Sequence, residues 1–439
     1  MAAGSAGRYV PIASDGRSLK AVKERVLADR STAAREPEAA APGRGGVAIR
    51  KLELFRIDVP LKKPIKHASY ERTSSENLVV RVELTTGQAG YGEGVPRSYV
   101  TGETIDSTFK ALSGSDWART IGKPSSFAEV VGRLERLSLP EIDADPRGMA
   151  GNAARCALEL AVLDAYGRTF GESIGRAVEL ADVDGLRRFD APRGARYSAA
   201  ITAESRRKEI VSAIKFRVYG FRDVKTKVGV VGQDDPKRLE TLRRILGRRM
   251  DVRLDANEAW PAADLLAKVA PLLRFRPSVL EQPVAHAEVD ALTDLRPRLG
   301  VPVMLDESLC GWPDAVAAVE RKTADVLNVR LSKCGGILPS LRIMALAHRS
   351  GLGVQLGCHP GETAILSAAG RHVASRVDGI CYLEGSYDRH ILRANLTRDD
   401  ITFGYGGRAG PLKGPGLGVE VDPELLAAMT RERRVITYD

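Results

Sequence analysis

The sequence predicts an α/β fold in which an eight-stranded β/α barrel follows a smaller α+β domain. Eight short apolar runs alternate with helical patterns between Tyr197 and Glu384, and eight strands are the number that closes such a barrel. Asp255, Glu281 and Asp306 each end an apolar run, and their spacings of 26 and 25 residues match one strand, one helix and two loops. An open Rossmann-like sheet is the alternative, but no glycine-rich phosphate fingerprint follows an early strand.

The composition is that of a globular protein with two domains and tails. Of its 439 residues, 44% are apolar and 28% are charged. No run of about 18 or more uncharged apolar residues occurs, so no membrane span is predicted. The 66 basic and 56 acidic residues are interspersed and lack aromatic interleaving, so no nucleic-acid partner is predicted. The five cysteines are odd in number and lack metal-finger spacing, which favours a reduced, cytoplasmic setting.

Shifts in composition divide the chain into four parts. Residues 1–46 are rich in Ala, Gly, Arg and Pro and are predicted to be a disordered or loosely docked tail. Residues 47–180 are assigned to the α+β domain and residues 181–400 to the barrel. The glycine-rich segment 401–439 is predicted to return to the α+β domain. We also expect a homo-oligomer, in which the N-terminal tail docks on a neighbouring subunit.

Alternating apolar residues in the first domain predict an antiparallel sheet of three strands, at 49–57, 78–84 and 89–93. Helical spacing of apolar residues predicts a long helix over Ala150 to Arg168. Two polar loops, Lys62 to Glu76 and Gly94 to Glu103, lie beside the sheet, and loops of this length often carry function. We therefore expect both loops to close over a substrate, with Tyr99 in the second loop as a candidate contact.

Eight barrel strands follow, each bounded by turn residues and separated from the next by a helical pattern. They are predicted at Tyr197–Ile201, Asp223–Val228, Val252–Asp255, Ser278–Glu281, Pro302–Asp306, Val326–Leu331, Gly353–Gly357 and Ile380–Glu384.

The three strand-end acids Asp255, Glu281 and Asp306 predict a metal site, because the carboxyl ends of barrel strands meet at one mouth. One such acid could be a helix cap or an ion-pair partner, whereas three at nearly equal spacing would repel one another without a cation. An all-oxygen set favours Mg²⁺, or Mn²⁺, over Zn²⁺.

Two lysines on the second barrel strand predict acid/base chemistry beside that metal. Lys225 and Lys227 are two residues apart on a strand, so their side chains share one face. Burial and a nearby cation would lower the pKa of such a lysine and make it a base near neutral pH. The alternative is a lysine that is solvated or paired with a carboxylate.

These residues together resemble the enolase superfamily and, within it, the muconate lactonizing enzyme and mandelate racemase family. The resemblance covers nearly everything from about residue 47 to the C-terminus. Its motifs are Gly92-Glu93-Gly94, Tyr99-Val100-Thr101-Gly102-Glu103, the helical residues 157–165, Lys225-x-Lys227, Asp255-x-Asn257, Glu281-Gln282-Pro283, Asp306-Glu307-Ser308 and Cys334-Gly335-Gly336.

The resemblance implies a fold and a reaction. The fold would be a modified (β/α)7β barrel with an α+β capping domain built from the N-terminal region and the C-terminal tail. A magnesium ion would be held by Asp255, Glu281 and Asp306, and the enzyme would abstract a proton alpha to the carboxylate of a small substrate. Lys227 would be the acid/base group and Lys225 would help to hold the carboxylate.

The chain departs from this family at the end of the sixth strand, where a lysine usually serves the opposite face of the substrate. The matching residue is Arg330, and Lys333 could replace it only if the strand register shifted. Arginine is a poor proton shuttle but a good fixed cation. We therefore expect one-base chemistry, namely cycloisomerisation or elimination, with Arg330 binding negative charge. A racemase or epimerase of the same family and a non-catalytic metal-binding barrel are the alternatives.

Four other residues are candidate substrate contacts or neighbours of the metal ligands. Glu384 stands at the end of the eighth strand, where dipeptide epimerases of the family carry a pair of aspartates. His359 and Glu362 follow the seventh strand, and His359 lacks the aspartate partner on strand six that the mandelate racemase subgroup has. Asn257 belongs to the Asp255 motif.

Overall fold

A computed structural model describes residues 46–66, 71–139, 151–202 and 205–438. The predicted tail, apart from Gly46, lies outside these residues. The strands are β1 Ile49–Lys66, β2 Glu71–Leu84, β3 Ala89–Gly94, β4 Ala195–Arg196, β5 Ala199–Ile201, β6 Asp223–Lys227, β7 Asp251–Asp255, β8 Leu280–Glu281, β9 Val303–Leu305, β10 Val326–Arg330, β11 Gly353–Gly357, β12 Ile380–Leu383, β13 Arg408–Ala409 and β14 Thr430–Thr437.

The α-helices of the described residues lie between these strands or next to them. They are α1 Ser98–Thr101, α2 Ile105–Ser113, α3 Trp117–Ile121, α4 Phe127–Glu135, α5 Asn152–Phe170, α6 Arg176–Leu180, α7 Arg206–Val218, α8 Asp235–Leu246, α9 Leu265–Val269, α10 Leu292–Leu295, α11 Trp312–Arg321, α12 Leu331–Cys334, α13 Ile337–Arg349, α14 Ala364–Ala374, α15 Asp388–Ile391 and α16 Pro423–Met429. Short 3₁₀ turns flank α9 and α10.

Strands β5 to β12 form one parallel sheet in consecutive order, which confirms the predicted barrel. The first and last strands meet through a hydrogen bond of 2.8 Å from the Ser198 N–H to the Leu383 carbonyl. The strand positions agree with the sequence prediction to within one or two residues. Because all eight strands run the same way, their carboxyl ends lie at one mouth.

The capping domain is a four-stranded antiparallel sheet in the order β14-β1-β2-β3. The fourth strand, β14, comes from the C-terminal tail and pairs with β1, with Leu54 opposite Arg434. Helix α5 packs on β3, where glycines at alternate positions allow the two backbones to approach closely: a Cβ added at Gly92 would collide with the Ala157 carbonyl. The predicted cap with its returning tail is therefore confirmed.

The predicted loop from Lys62 to Glu76 is wrong for most of its length. Strand β1 continues to Lys66 and β2 begins at Glu71, and residues 67–70 lie outside the described structure. The two strands pair along a hairpin in which Pro60 faces Ser74, so backbone pairing holds this polar segment in strand form. The second predicted loop instead contains the short helix α1. No helix of the described residues is long and apolar enough to cross a membrane.

Candidate active site

Lysine and carboxylate side chains meet at the carboxyl ends of three neighbouring barrel strands. Lys227 on β6 is in register with Asp255 on β7, and Asp255 is in register with Glu281 on β8. Residues in register on parallel strands lie at the same height and point to the same side. The sheet therefore sets a candidate base beside two candidate metal ligands.

Lys225 lies among three acids within this cluster. Its Nζ is 3.1 Å from Glu384 Oε2, 3.3 Å from Glu281 Oε1 and 3.4 Å from Asp255 Oδ2. Burial lowers the pKa of Lys225, but the three carboxylates outweigh burial and hold the pKa well above its ordinary value. The expected lowering of the pKa is therefore wrong for Lys225, which is the carboxylate-paired lysine of the alternative interpretation.

Lys227 contrasts with Lys225, although only one residue separates them. Among the described residues, no group lies within hydrogen-bonding or ion-pairing distance of Lys227 Nζ, and the residue is partly exposed. Its backbone is fixed, because its carbonyl accepts a hydrogen bond of 3.1 Å from Arg238 Nη1. The two lysines therefore differ in role: Lys225 is held as a fixed cation, and the amine of Lys227 can reach a substrate.

Glu281 is fully buried, and three acids but only one lysine act on it most strongly. Burial, together with the neighbouring Asp255, Glu384 and Asp306, raises its pKa to about 8 against the opposing effect of Lys225. One oxygen, Oε1, accepts a hydrogen bond of 3.0 Å from Asn328 Nδ2. The other, Oε2, is buried and has no hydrogen-bond donor among the described residues. A carboxylate in this condition is a ready ligand for a cation.

Asp306, the third predicted ligand, is held by two cations from β10 and α12. Arg330 Nη2 pairs with Asp306 Oδ2, and Lys333 Nζ lies 2.7 Å from Oδ1 and 2.6 Å from the Asp306 carbonyl. Burial raises the pKa of Asp306, but Arg330 and Lys333 outweigh burial and lower it. Lys333 also donates to the Asn328 carbonyl at 3.0 Å, so all three of its donors bind within the protein.

Arg330 lies across the barrel mouth from Lys227. Strands β6 and β10 are four places apart in an eight-stranded sheet, so they lie on opposite sides of the mouth. Burial lowers the pKa of Arg330, but Asp306, Glu307 and Glu281 outweigh burial and raise it above the ordinary value of arginine. Arg330 is therefore a permanent cation that faces the base across the site.

Gln282 is a site residue whose role the sequence did not show. Its Oε1 accepts hydrogen bonds from the backbone N–H groups of Asp306, at 2.9 Å, and Ser308, at 3.1 Å. Its backbone φ is 36°, in the left-handed region that a side chain of this size rarely adopts. The side chain ties the end of β8 to the end of β9 and so sets the separation of two acids.

Arg253 is a second residue that the sequence analysis missed. It lies two residues before Asp255, faces the barrel interior and is fully buried. Its guanidinium bonds to Gln355, lies 3.3 Å from Glu384 Oε1 and 3.5 Å from Asp223 Oδ1, and stacks over the Tyr382 ring. Because side chains two apart share a face of a strand, the position of Asp255 could have pointed to Arg253.

Replacement of Arg253 by methionine is expected to lower the free energy of unfolding by about 3–5 kcal/mol, because it removes a buried cation from Asp223 and Glu384 and leaves Glu384 with Lys225 alone. Denaturant unfolding followed by circular dichroism measures the change. The matched control is Arg244→Met, whose side chain is 77% exposed, with an expected effect within about 0.5 kcal/mol. A loss for Arg253→Met no larger than the control's would contradict the structural role of this arginine.

Glu384 pairs with cationic side chains of the protein itself. Lys225 and Arg253 approach its two oxygens, and together with Arg330 they lower its pKa against the raising effect of burial. Glu384 therefore fixes Lys225.

The other candidate contacts lie around the same mouth. His359 is buried, and burial together with Arg330 lowers its pKa well below the ordinary value, so its imidazole is neutral. Burial raises the pKa of Glu362 to about 8, and its Oε1 accepts a hydrogen bond of 2.6 Å from the His359 backbone N–H. Asn257 donates to Glu307 at 3.1 Å. Tyr99 is 37% exposed on α1, whose Val100 packs against Cys310 just beyond β9.

The capping domain is bonded directly to the barrel mouth. The Val95 N–H donates to Ser332 Oγ at 2.7 Å, and Asn152 Nδ2 donates to the Lys333 carbonyl at 2.8 Å. The buried carboxylate of Glu93 accepts hydrogen bonds from the Thr363 N–H and hydroxyl at the start of α14. The cap therefore covers the ends of β10 and β11.

The three predicted ligands have the chemistry of a magnesium site. In the arrangement seen, no three carboxylate, imidazole or thiolate groups of the described residues converge closely enough to hold a metal ion. The physical reason is that Lys225 lies near both Asp255 and Glu281, while Asp306 is paired with Arg330. The unbonded oxygen of Glu281 and the all-oxygen donor set nevertheless fit a hard divalent cation.

The chain is similar in sequence to known proteins along most of its length. Residues 209–425 match the family model described as enolase C-terminal domain-like. The chain is 27% identical to the N-succinyl-L-Arg/Lys racemase of Bacillus cereus, over 87% of this chain and 98% of the relative. It is also 27% identical to muconate cycloisomerase 1 of Rhodococcus opacus, over 88% of this chain and 99% of that one.

Solved structures share the fold along nearly the whole described chain. The crystal structure of the Bacillus cereus racemase superposes with a TM-score of 0.75 and covers 89% of this chain and 100% of its own, at 23% identity. Of eight curated relatives compared, seven are named racemases or epimerases and one is a cycloisomerase. These names favour racemases and epimerases over the cycloisomerase expected from the sequence.

Proposed function

Because the chain belongs to the enolase superfamily, in the muconate lactonizing enzyme and mandelate racemase family, we propose that it is an isomerase that removes a proton alpha to a carboxylate. The substrate class that its relatives support best is an N-acylated amino acid or a dipeptide, and the reaction is racemisation or epimerisation. The observation that carries the proposal is Lys227, an amine free of partners among the described residues, in register with Asp255 and Glu281.

Each residue at the mouth has a task in this reaction. Asp255, Glu281 and Asp306 would hold Mg²⁺ or Mn²⁺, which when bound neutralises the charge that develops on the substrate carboxylate. Lys225, fixed by Glu384, binds one carboxylate oxygen. Lys227 accepts the alpha proton, and the cap excludes water from the mouth.

Arg330 supports a second candidate, a one-base cycloisomerase or lyase. A racemase must deliver a proton to the face opposite Lys227, and by microscopic reversibility the same group must also remove one. A guanidinium with a raised pKa does this poorly. In a one-base reaction Arg330 needs only to stabilise negative charge, as its fixed position beside Asp306 allows.

Proton exchange in deuterated water tests both candidates. Each enantiomer of an N-succinyl amino acid and of a dipeptide, and muconate in parallel, is incubated with enzyme and Mg²⁺ and followed by proton NMR and chiral chromatography. Deuterium at the alpha carbon with inversion supports the racemase or epimerase. Exchange with retention, or conversion of muconate, supports the one-base enzyme. Absence of exchange and conversion with every substrate would remove both candidates in favour of a non-catalytic metal-binding barrel.

Metal binding is expected to depend on Glu281. Replacement by glutamine removes a charged ligand, so Mg²⁺ or Mn²⁺ affinity should fall by more than the roughly 10- to 100-fold typical of changing a residue that only supports a ligand. Titration calorimetry of metal-free protein measures this without any substrate. Glu240→Gln, at a side chain that is 57% exposed, is the control and should leave the affinity unchanged. Equal affinities of the two variants would contradict the assignment.

A reducing, cytoplasmic setting is part of the proposal. All five cysteines are free, four of them buried, which supports a reducing, cytoplasmic compartment. The homo-oligomer and the domain boundaries drawn from the sequence stay predictions.

A further inference from the structure

A cavity lies at the end of the barrel opposite Lys227. It has a volume of about 380 Å³ and is lined by the first residues of β6, β7 and β12 and by the segment 194–196. We call it the basal pocket. Its charged and aromatic side chains are those of Phe189, Arg196, Arg222, Asp223, Asp251, Asp378 and Tyr382.

Two acids, Asp223 and Asp251, supply negative charge to the lining of the basal pocket. The third acid of the lining, Asp378, is exposed, and its Oδ1 accepts a hydrogen bond of 2.9 Å from the Gly379 N–H. Asp251 Oδ2 accepts a hydrogen bond of 3.1 Å from the Tyr382 hydroxyl, while Oδ1 is buried and has no hydrogen-bond donor among the described residues. Asp223 is 16% exposed, and its nearest cation is Arg253, at 3.5 Å. Burial raises the pKa of Asp223, and Asp251 raises it further. A donor bearing positive charge would satisfy both acids.

Two arginines, Arg196 and Arg222, supply positive charge to the same lining. Arg196 Nε donates to the Gly406 carbonyl at 3.1 Å, and Arg222 is exposed. Burial lowers the pKa of Arg196, and the like charges of Arg222 and Arg408 lower it further. An anion between Arg196 and Arg222 would relieve this repulsion and gain charge-assisted hydrogen bonds.

Apolar side chains complete the wall, among them Phe189, Val377, Ile380 and Leu383. We propose that the basal pocket binds a small zwitterion, an α-amino acid with an apolar side chain. Its ammonium group bonds to Asp251 and Asp223, its carboxylate to Arg196 and Arg222, and its side chain lies on the apolar wall. A bare metal cation is disfavoured by the arginines and a simple anion by the aspartates. The volume suits one amino acid, since ligand pockets start at about 300 Å³.

Titration calorimetry of the full chain with L-leucine tests this site independently of any catalytic activity. N-acetyl-L-leucine lacks the ammonium group and L-leucinamide lacks the carboxylate, so each should bind at least about tenfold more weakly, as expected for loss of one charged hydrogen bond. Absence of leucine binding at about 10 mM, or equal binding of both analogues, would overturn the proposal.

Matched variants show whether leucine binds in the basal pocket or at the mouth. Asp251→Asn and Arg222→Gln should each weaken leucine binding about tenfold or more, and Arg222 is exposed, so its replacement leaves the core intact. Arg244→Gln on the surface and Arg330→Met at the mouth should leave the affinity unchanged. Leucine affinity that falls with Arg330→Met and not with Asp251→Asn and Arg222→Gln would assign the binding to the mouth and overturn the proposal.

Discussion

Replacement of Lys227 by methionine is expected to lower the rate of alpha-proton exchange by about 100- to 10,000-fold, the contribution typical of a positioned acid/base group. Methionine keeps the length and apolar stem of lysine but cannot take up a proton. The other basic groups cannot replace Lys227, because Lys225 is held by three carboxylates and Lys333 by Asp306 and Asn328. Deuterium incorporation measured by NMR reports the loss for either enantiomer.

Two controls separate loss of the base from loss of the site. Lys268→Met removes an exposed lysine on α9 and should leave exchange unchanged. Calorimetry should show that Lys227→Met still binds Mg²⁺, because Lys227 pairs with none of the predicted ligands among the described residues. Exchange that persists in Lys227→Met at more than about a tenth of the original rate would assign the proton to another group.

The sequence was sufficient to predict where Asp255, Glu281 and Asp306 lie, because a side chain's height in a parallel barrel follows from its place at a strand end. The same logic places Arg330 opposite Lys227. Sequence periodicity does not predict which residues form ion pairs with a buried charged side chain. Lys225 and Lys227 share a face and a motif, yet only the structure shows that three carboxylates, one of them from the last strand, surround the first lysine.

Arg253 is a second buried charge whose partners the sequence did not reveal. It lies in the strand Asp251–Asp255, where charged residues alternate with Val252 and Leu254, so its charge suggests an exposed residue. The structure buries it because Asp223 and Glu384, 30 residues before it and 131 after it, converge on its guanidinium. Strand periodicity sets Arg253 on the same face as Asp255, but it does not identify Asp223 and Glu384 as partners, because those pairs form only when the barrel closes. The extended β1–β2 hairpin was missed for a related reason, since backbone pairing there outweighs polar side chains.

The two candidate reactions require different proton-transfer properties of the side chain at position 330. The relatives compared are mostly named racemases and epimerases, whereas a fixed guanidinium opposite Lys227 suits a reaction with one base. Both statements hold together if the chain retains the family's substrate class while its proton transfer on the second face is slow. That arrangement makes the side chain at this position the determinant of stereochemical outcome.

Replacement of Arg330 by lysine is therefore expected to raise the rate of inversion at the alpha carbon by at least about tenfold, because an amine with an ordinary pKa near 10.4 gives up and takes up a proton far more easily than a guanidinium. The ammonium group keeps a positive charge beside Asp306, so metal binding should survive. Chiral chromatography of each enantiomer, with deuterium incorporation measured in parallel, reports inversion and exchange separately.

Arg330→Met supplies the contrast, because it removes both the charge and the proton. It should abolish inversion. Because it leaves the Asp306 carboxylate with Lys333 alone, the Mg²⁺ affinity of this variant is measured by calorimetry before the rates are compared. An Arg330→Lys variant that binds Mg²⁺ normally and inverts no faster than the natural chain would show that this position does not limit proton transfer. The second face would then be served by a group outside the β10 strand, and the difference between the natural residue and the family's lysine would concern binding of the substrate rather than the chemistry of its alpha carbon.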